Sequence, residues 1–108
     1  MQSRKVRVYE TSTGNTPFHE WLNGLRDEKG RAVIRTRIVR LELGNFGDCE
    51  PVGEGVLELK IDFGPGYRVY CAEEGPKIIL LLIGGDKKTQ PRDIKTAKRY
   101  WQEYRKSG

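Results

Sequence analysis

Two neighbouring segments set the architecture: Gly66-Tyr67-Arg68-Val69-Tyr70 and the apolar run Ile78-Ile79-Leu80-Leu81-Leu82-Ile83. The first predicts a strand with an arginine at its centre, and Glu74-Gly75-Pro76 predicts a tight turn between the two. Because the second run is apolar on both faces, we expect a central strand that is covered on both sides. Lys87 and Lys88 follow at its exit. Cations fixed close together suit the recognition of phosphate or another anion.

The segment before this pair predicts a third strand. Leu57, Leu59 and Ile61 alternate with Glu58, Lys60 and Asp62, which is typical of a half-buried strand whose polar face points outward. Phe63-Gly64-Pro65-Gly66 then predicts a turn, so the last three strands form an antiparallel meander. Glycines and a proline predict a loop over residues 46–55.

Helices are predicted before and after this meander in the sequence. A first strand over Val6–Thr11 precedes a helix that starts at Pro17, where the missing N–H costs nothing. A second helix spans about residues 27–43, and a last helix begins near Thr89 or Gln90. The predicted fold is α+β: an N-terminal strand and a two-helix hairpin packed on a mainly antiparallel four-stranded sheet, with a C-terminal helix. Residues 1–108 form a single domain.

Composition excludes several classes of protein. No segment reaches the roughly 18 apolar residues of a membrane span, so we expect no membrane partner. Met1-Gln2-Ser3-Arg4-Lys5 has no apolar stretch after its charges, which argues against a secretory signal. Cys49 and Cys71 lack metal-ligand spacing and are typical of free thiols. We therefore expect a cytoplasmic protein with no metal and no cofactor.

The basic residues are concentrated near the carboxyl end. Between Lys87 and Gly108 there are eight basic residues and two acidic ones, whereas the 86 residues before them carry twelve basic and thirteen acidic. Such asymmetry indicates an anionic partner such as RNA. The expected RNA- or ribosome-binding residues lie on the last helix: Arg92, Lys95, Lys98 and Arg99. The alternative is a solvated helix face that maintains solubility.

The chain resembles the RelE/ParE superfamily of bacterial type II toxins, in particular the phage-derived, HigB-like addiction module killer proteins. The resemblance covers nearly the whole chain. Its landmarks, in order, are Phe18-His19-Glu20-Trp21-Leu22, Leu43-Gly44-Asn45-Phe46-Gly47-Asp48, the segment Glu58–Tyr70, the segment Gly84–Gln90, and the helix containing Asp93, Ile94, Ala97, Lys98 and Trp101.

This resemblance implies a toxin that is neutralised by a cognate antitoxin, commonly a helix-turn-helix DNA-binding protein. RelE-like members cleave messenger RNA in the ribosomal A site, and ParE-like members poison DNA gyrase. The leading expectation is a metal-independent, ribosome-dependent endoribonuclease. The alternatives are a non-catalytic gyrase poison and a plain RNA-binding module.

RNA cleavage of this kind needs stabilisation of charge on the phosphorane, and Arg68 is the best candidate because a guanidinium donates two parallel hydrogen bonds to phosphate. Arg68 matches the strand arginine of RelE-type nucleases. The other expected catalytic residues are Lys60, Lys87, Lys88 and Tyr70. Arg68 and Tyr70 share one strand face, and hairpin pairing can bring Lys60 near them. The alternatives are an ion pair of Arg68 with Glu58 or Asp62, and a solvated turn at Lys87 and Lys88.

The general base and acid are not identified by the sequence. His19, the only histidine, lies at the start of a helix, where we expect a structural role. A lysine among other cations has its charged form disfavoured, which makes it a better proton carrier near neutral pH. The best-studied RelE nucleases carry a tyrosine just beyond the last strand. In this chain the first tyrosine after that strand is Tyr100, within the last helix.

Overall fold

The structure is a computed structural model that describes residues 3–107. Within them lie five strands, three α-helices and one short 3-10 helix. In chain order the elements are β1 (Lys5–Val8), α1 (Pro17–Gly24), α2 (Glu28–Glu42), β2 (Cys49–Gly53), β3 (Val56–Ile61), β4 (Tyr67–Glu74), β5 (Ile78–Asp86), the 3-10 helix (Lys87–Thr89) and α3 (Gln90–Ser107). Met1 and Gln2, part of the segment that argued against a signal, lie outside the described residues.

The strands form one mixed sheet in the order β1-β5-β4-β3-β2. β1 runs parallel to β5, and every other neighbouring pair is antiparallel. The α+β class, the meander and the C-terminal helix are confirmed. The expectation of four strands is wrong, because β2 forms inside the predicted loop. It is an edge strand with a register shift between Pro51 and Gly53, and an edge is where a sheet tolerates proline and bulges.

Helices cover both faces of the sheet, which gives three layers. On one face α1 and α2 pack a purely apolar core around Phe18, Leu22, Ile34, Leu41 and Leu59. On the other face α3 packs Ala97 and Trp101 against β3, β4 and β5. β5 is covered on both faces as predicted, since Ile79 to Leu82 are all at most 2% exposed, but it lies second from the edge and the central strand is β4. No helix within residues 3–107 is both long and apolar enough to cross a membrane.

The predicted outward face of β3 is wrong for Glu58. This residue is only 2% exposed, whereas Lys60 is partly exposed and Asp62 is exposed beyond the strand end. The reason is that α3 lies on this face of the sheet. Alternation along β3 predicted which residues share a face of the sheet. It did not show that a helix distant in sequence covers the face that carries Glu58.

The glycines at the end of β5 allow helices to approach from both sides. The apolar run of the sequence ends at Ile83, and the glycines after it are typical of a strand end, but β5 continues through both to Asp86. A Cβ atom on Gly84 would collide with the ring of Trp21 from α1, and one on Gly85 would collide with the carboxylate of Asp93 from α3. Glycine in a strand often marks such a close approach.

Candidate phosphate-binding site

The candidate site is built on a row of three residues across neighbouring strands. Arg68 of β4 lies directly opposite Lys60 of β3 on one side and Gly85 of β5 on the other. Side chains of paired residues lie on the same face of a sheet, and here it is the face covered by α3. The structure therefore brings two of the predicted cationic side chains together, in a register that the sequence did not fix.

Arg68 is a buried cation without an acidic partner. The residue is 7% exposed, and its Nη1 donates a hydrogen bond to the carbonyl oxygen of Tyr67 at 3.0 Å. Its Nε is buried and finds no acceptor among residues 3–107. No ion pair in this part of the chain includes Arg68. The alternative prediction, an ion pair with Glu58 or Asp62, is wrong.

The 3-10 helix and the first turn of α3, residues 87–93, cover this row and are called the roof below. Asp86 caps the 3-10 helix by accepting hydrogen bonds from the backbone nitrogens of Lys88 and Thr89 at 2.9 and 3.2 Å. The hydroxyl of Thr89 donates in turn to Asp93, which is 5% exposed. Since a Cβ atom at Gly85 would touch both Thr89 and Asp93, this turn sits directly above the position beside Arg68.

A second polar row lies next to the first. Glu58 of β3 pairs with Tyr70 of β4, and the Tyr70 hydroxyl donates to Oε2 of Glu58 at 2.9 Å. The side-chain amide of Gln90, the first residue of α3, donates to the same oxygen at 2.8 Å. One buried carboxylate thus joins two strands to the roof.

This environment defines what Tyr70 can do. Burial raises the pKa of its hydroxyl well above the usual range, and the hydrogen bond to Glu58 and the charges of Glu58 and Asp93 raise it further. The positive charge of Arg68 opposes this only in part. Tyr70 therefore stays protonated at neutral pH, and its hydroxyl serves to hold Glu58.

The buried charges of the described chain are concentrated here. Glu58, Arg68 and Asp93 are the charged side chains that residues 3–107 bury, and all three face Tyr70 or the row beside it. Burying charge is costly, and such clusters occur preferentially at functional sites. No group of histidine, cysteine and acidic side chains among the described residues is arranged to hold a metal ion.

Two more of the predicted cations border the row. Lys87 donates its backbone N–H to the carbonyl of Gly66 at 3.1 Å. Its side chain covers the same glycine, since a Cβ atom on Gly66 would lie 3.0 Å from Cγ of Lys87. Lys87 thus lies at the turn that leads into Arg68, and Lys88 is exposed next to it. Lys60 is partly exposed and pairs with Glu50 at 3.1 Å.

The predicted RNA-binding residues of α3 divide into two groups. Lys98 pairs with Glu54 at 3.6 Å, and Arg99 pairs with Glu103 at 3.8 Å. Arg92 is highly exposed and pairs with Asp93 at 3.9 Å, while Lys95 is exposed and in no ion pair of the described chain. Three of the four predicted residues are therefore in ion pairs, and Lys95 is not.

Sequence reasoning missed the polar residues beneath the roof. Glu58 was placed on an outward face, and Gln90, Thr89 and Asp93 were given no role. One signal was available, because Gly84-Gly85 inside an apolar strand indicates that another element comes close. His19 is exposed on α1, on the opposite side of the sheet.

Comparison with known proteins gives one informative relative. No family model matches the chain. An uncharacterized protein of Haemophilus influenzae is 49% identical over 86 residues, which cover 80% of this chain and 87% of the relative. Identity at this level over most of both chains shows common descent and a common fold. The chain belongs to the same family as this Haemophilus influenzae protein.

Proposed function

We propose that this protein is the toxin of a type II toxin–antitoxin system and that it arrests translation by cleaving messenger RNA on the ribosome. Its partner would be a cognate antitoxin that is itself a helix-turn-helix DNA-binding protein. The proposal combines the resemblance of the chain to RelE-like toxins with the chemistry of the Arg68 site.

The observation that carries the proposal is the buried Nε of Arg68, which has no acceptor and belongs to a guanidinium in no ion pair of residues 3–107. Two buried carboxylates, those of Glu58 and Asp93, lie in this region. Neither forms an ion pair with Arg68. A buried donor left without an acceptor costs about 1–3 kcal/mol, and a phosphate oxygen would remove that cost. Arginine binds phosphate through the same planar fork of donors.

The surrounding residues divide the chemistry. Arg68 would stabilise the negative charge that develops on the phosphorane as the 2′ oxygen bonds to phosphorus and gives its proton to solvent. The bond from phosphorus to the 5′ oxygen would then break, and that oxygen would take up a proton from solvent. Lys60 and Lys87 would add positive charge on either side of the phosphate. Arg92 and Lys95, on the exposed start of α3, would bind the flanking backbone. The ribosome would supply much of the acceleration by imposing the geometry of the message.

We expect access to Arg68 to involve a movement of the roof. The first turn of α3 covers Gly85, which pairs with Arg68, and the hydrogen bond from Gln90 to Glu58 holds that turn to the sheet. Substrate binding would therefore shift Gln90 and lengthen this bond.

Inducible expression with mapping of RNA ends tests the proposal. The wild-type chain should arrest growth and produce new 5′ ends within translated messages. Arg68→Ala should abolish both, while Lys98→Ala, whose side chain already pairs with Glu54, should retain most of the activity. Growth arrest with intact messages would contradict nuclease action.

One observation favours a second candidate, a non-catalytic poison of DNA gyrase. The site holds no ordinary general base, because Tyr70 is tied to Glu58 with a raised pKa and His19 lies across the sheet. This candidate predicts DNA breaks in expressing cells and no cleaved message. The same expression strains distinguish the two.

A further inference from the structure

A second surface lies at the edge of the sheet opposite to β2. It has the features of a docking site for an extended peptide segment. β1 is the end strand of the sheet. The backbone N–H groups of Lys5 and Tyr9 donate to Lys77 and Leu81 of the β5 side. Successive residues of a strand point their amides to opposite edges, so the amides and carbonyls of Val6 and Val8 face outward, where no strand follows.

An apolar groove runs beside this edge. It has a volume of about 420 Å³ and is lined by Val6, Val8, Phe18, Leu22, Ile38 and Val39, with polar residues at its rim. Val39 of α2, which lines the groove, is 52% exposed, and Leu43, just after the end of α2, is 59% exposed. These are the exposed large apolar side chains of residues 3–107. Apolar residues of an added strand would fill this groove.

The opposite face of β1 is cationic. Val6 and Val8 point into the groove, so the alternating Lys5 and Arg7 point to the other face, and both are exposed. The groove itself carries one exposed charge of each sign, Arg35 and Glu42, so the cationic character belongs to the face of Lys5 and Arg7. A strand laid along β1 would therefore place every second side chain in an apolar groove and the others beside two cations.

We infer that β1 is the docking edge for an extended segment of a partner protein in which apolar and acidic residues alternate. Main-chain hydrogen bonds to Val6 and Val8 would give affinity, and the two faces would give specificity. A second copy of this chain fits poorly, because pairing two β1 strands would place Lys5 and Arg7 against the same cations of the other copy.

Selection from a displayed library of short random peptides on the full chain tests this inference. Selected peptides should alternate acidic and apolar residues. They should bind the double variant Lys5→Glu with Arg7→Glu about tenfold more weakly, because two cross-strand charge pairs become repulsive. The control double variant, Lys29→Glu with Lys106→Glu, makes the same change in net charge at exposed positions away from β1 and should bind as the wild type does.

Amide hydrogen exchange then locates the bound peptide. The amides of Val6 and Val8 should exchange more slowly with peptide bound, in the wild type and in the control variant. Failure to select any peptide, equal binding to both double variants, or unchanged exchange at Val6 and Val8 would each overturn the inference. So would protection that rises with the concentration of the chain alone, since it would show a second copy at this edge. The outcome is independent of the proposed RNA cleavage, which Arg68→Ala should abolish while the peptide still binds at β1.

Discussion

The two faces of the sheet are built from alternate residues of the same strands, yet they differ in kind. The face under α1 and α2 is apolar, with Ile34, Leu41 and Leu59 fully buried. The face under α3 buries Glu58, Arg68 and Asp93. A protein of this size depends on one good apolar core for its stability. The first face supplies most of that core, whereas the second combines a smaller apolar cluster around Leu82, Ala97 and Trp101 with the buried charges.

The largest expected effect is on the apolar face. Ile34→Ala should lower the free energy of unfolding by about 2–5 kcal/mol, because it leaves a cavity in a packed core. Denaturation in urea measures the change. Val39→Ala, on the same helix but 52% exposed, is the matched control and should change stability by less than about 0.5 kcal/mol. Similar losses for both variants would show that α2 does not form the core proposed here.

The next effect tests the carboxylate beneath α3. Glu58→Leu should be less stable than Glu58→Gln by about 1–3 kcal/mol, because leucine leaves the Tyr70 hydroxyl and the Gln90 amide without an acceptor, whereas glutamine keeps one. Chemical denaturation of the two variants makes the comparison. Equal stability would mean that the polar network contributes nothing to holding α3 on the sheet.

A third prediction uses the tyrosines that the fold keeps protonated. The pKa of Tyr70 lies well above its usual range, and burial together with Glu103 raises the pKa of Tyr9 to about 12. Because the folded pKa values exceed the unfolded value of about 10, unfolding releases protons at alkaline pH. The stabilisation is complete below pH 10 and falls as the pH rises through the folded values.

Unfolding followed in urea between pH 9 and pH 12 should show this loss of stability. Tyr70→Phe should make the decline with pH shallower, since one of the protected hydroxyls is gone. An unchanged slope would contradict the assignment of a buried, hydrogen-bonded hydroxyl at Tyr70.

The smallest expected effect is on RNA affinity, and it distinguishes Lys95 from Lys98 on α3. Lys95→Ala should lower the dependence of RNA affinity on salt by about 0.7 in log–log slope, which is one phosphate contact on a single strand. Lys98→Ala should lower it by less, because Lys98 must first leave Glu54. Filter binding of a single-stranded RNA over a range of salt concentrations measures both. A larger effect at Lys98 would move the RNA-binding surface toward the carboxyl end of α3.

Local patterns predicted most of the elements. Asp27 caps α2 by accepting from the backbone nitrogen of Gly30 at 2.9 Å, and the predicted helix began at that residue. The apolar run in β5 predicted a strand that is covered on both faces, and Ile79 to Leu82 are buried. Each of these depends on a period or a capping signal within a few residues.

The errors have a common physical cause, which is contact between distant parts of the chain. β2 contains Pro51 and Gly53, which are typical of a loop, and becomes a strand because β3 offers it an edge. Glu58 looked exposed because α3, which covers it, begins more than thirty residues later. The lack of a partner for Arg68 depends on the side chains of four elements, so no sequence pattern shows it.

The Nε–H of Arg68 is buried without an acceptor, and we propose that it binds a phosphate. The most direct test is NMR of the Arg68 Nε–H in ¹⁵N-labelled protein. A short 2′-O-methyl RNA, which cannot be cleaved, is added in the absence of ribosomes. We predict a saturable change in the Arg68 resonance that is weaker in high salt and unaffected by Lys98→Ala. An Arg68 resonance that stays fixed while the RNA binds elsewhere on the chain would contradict the claim.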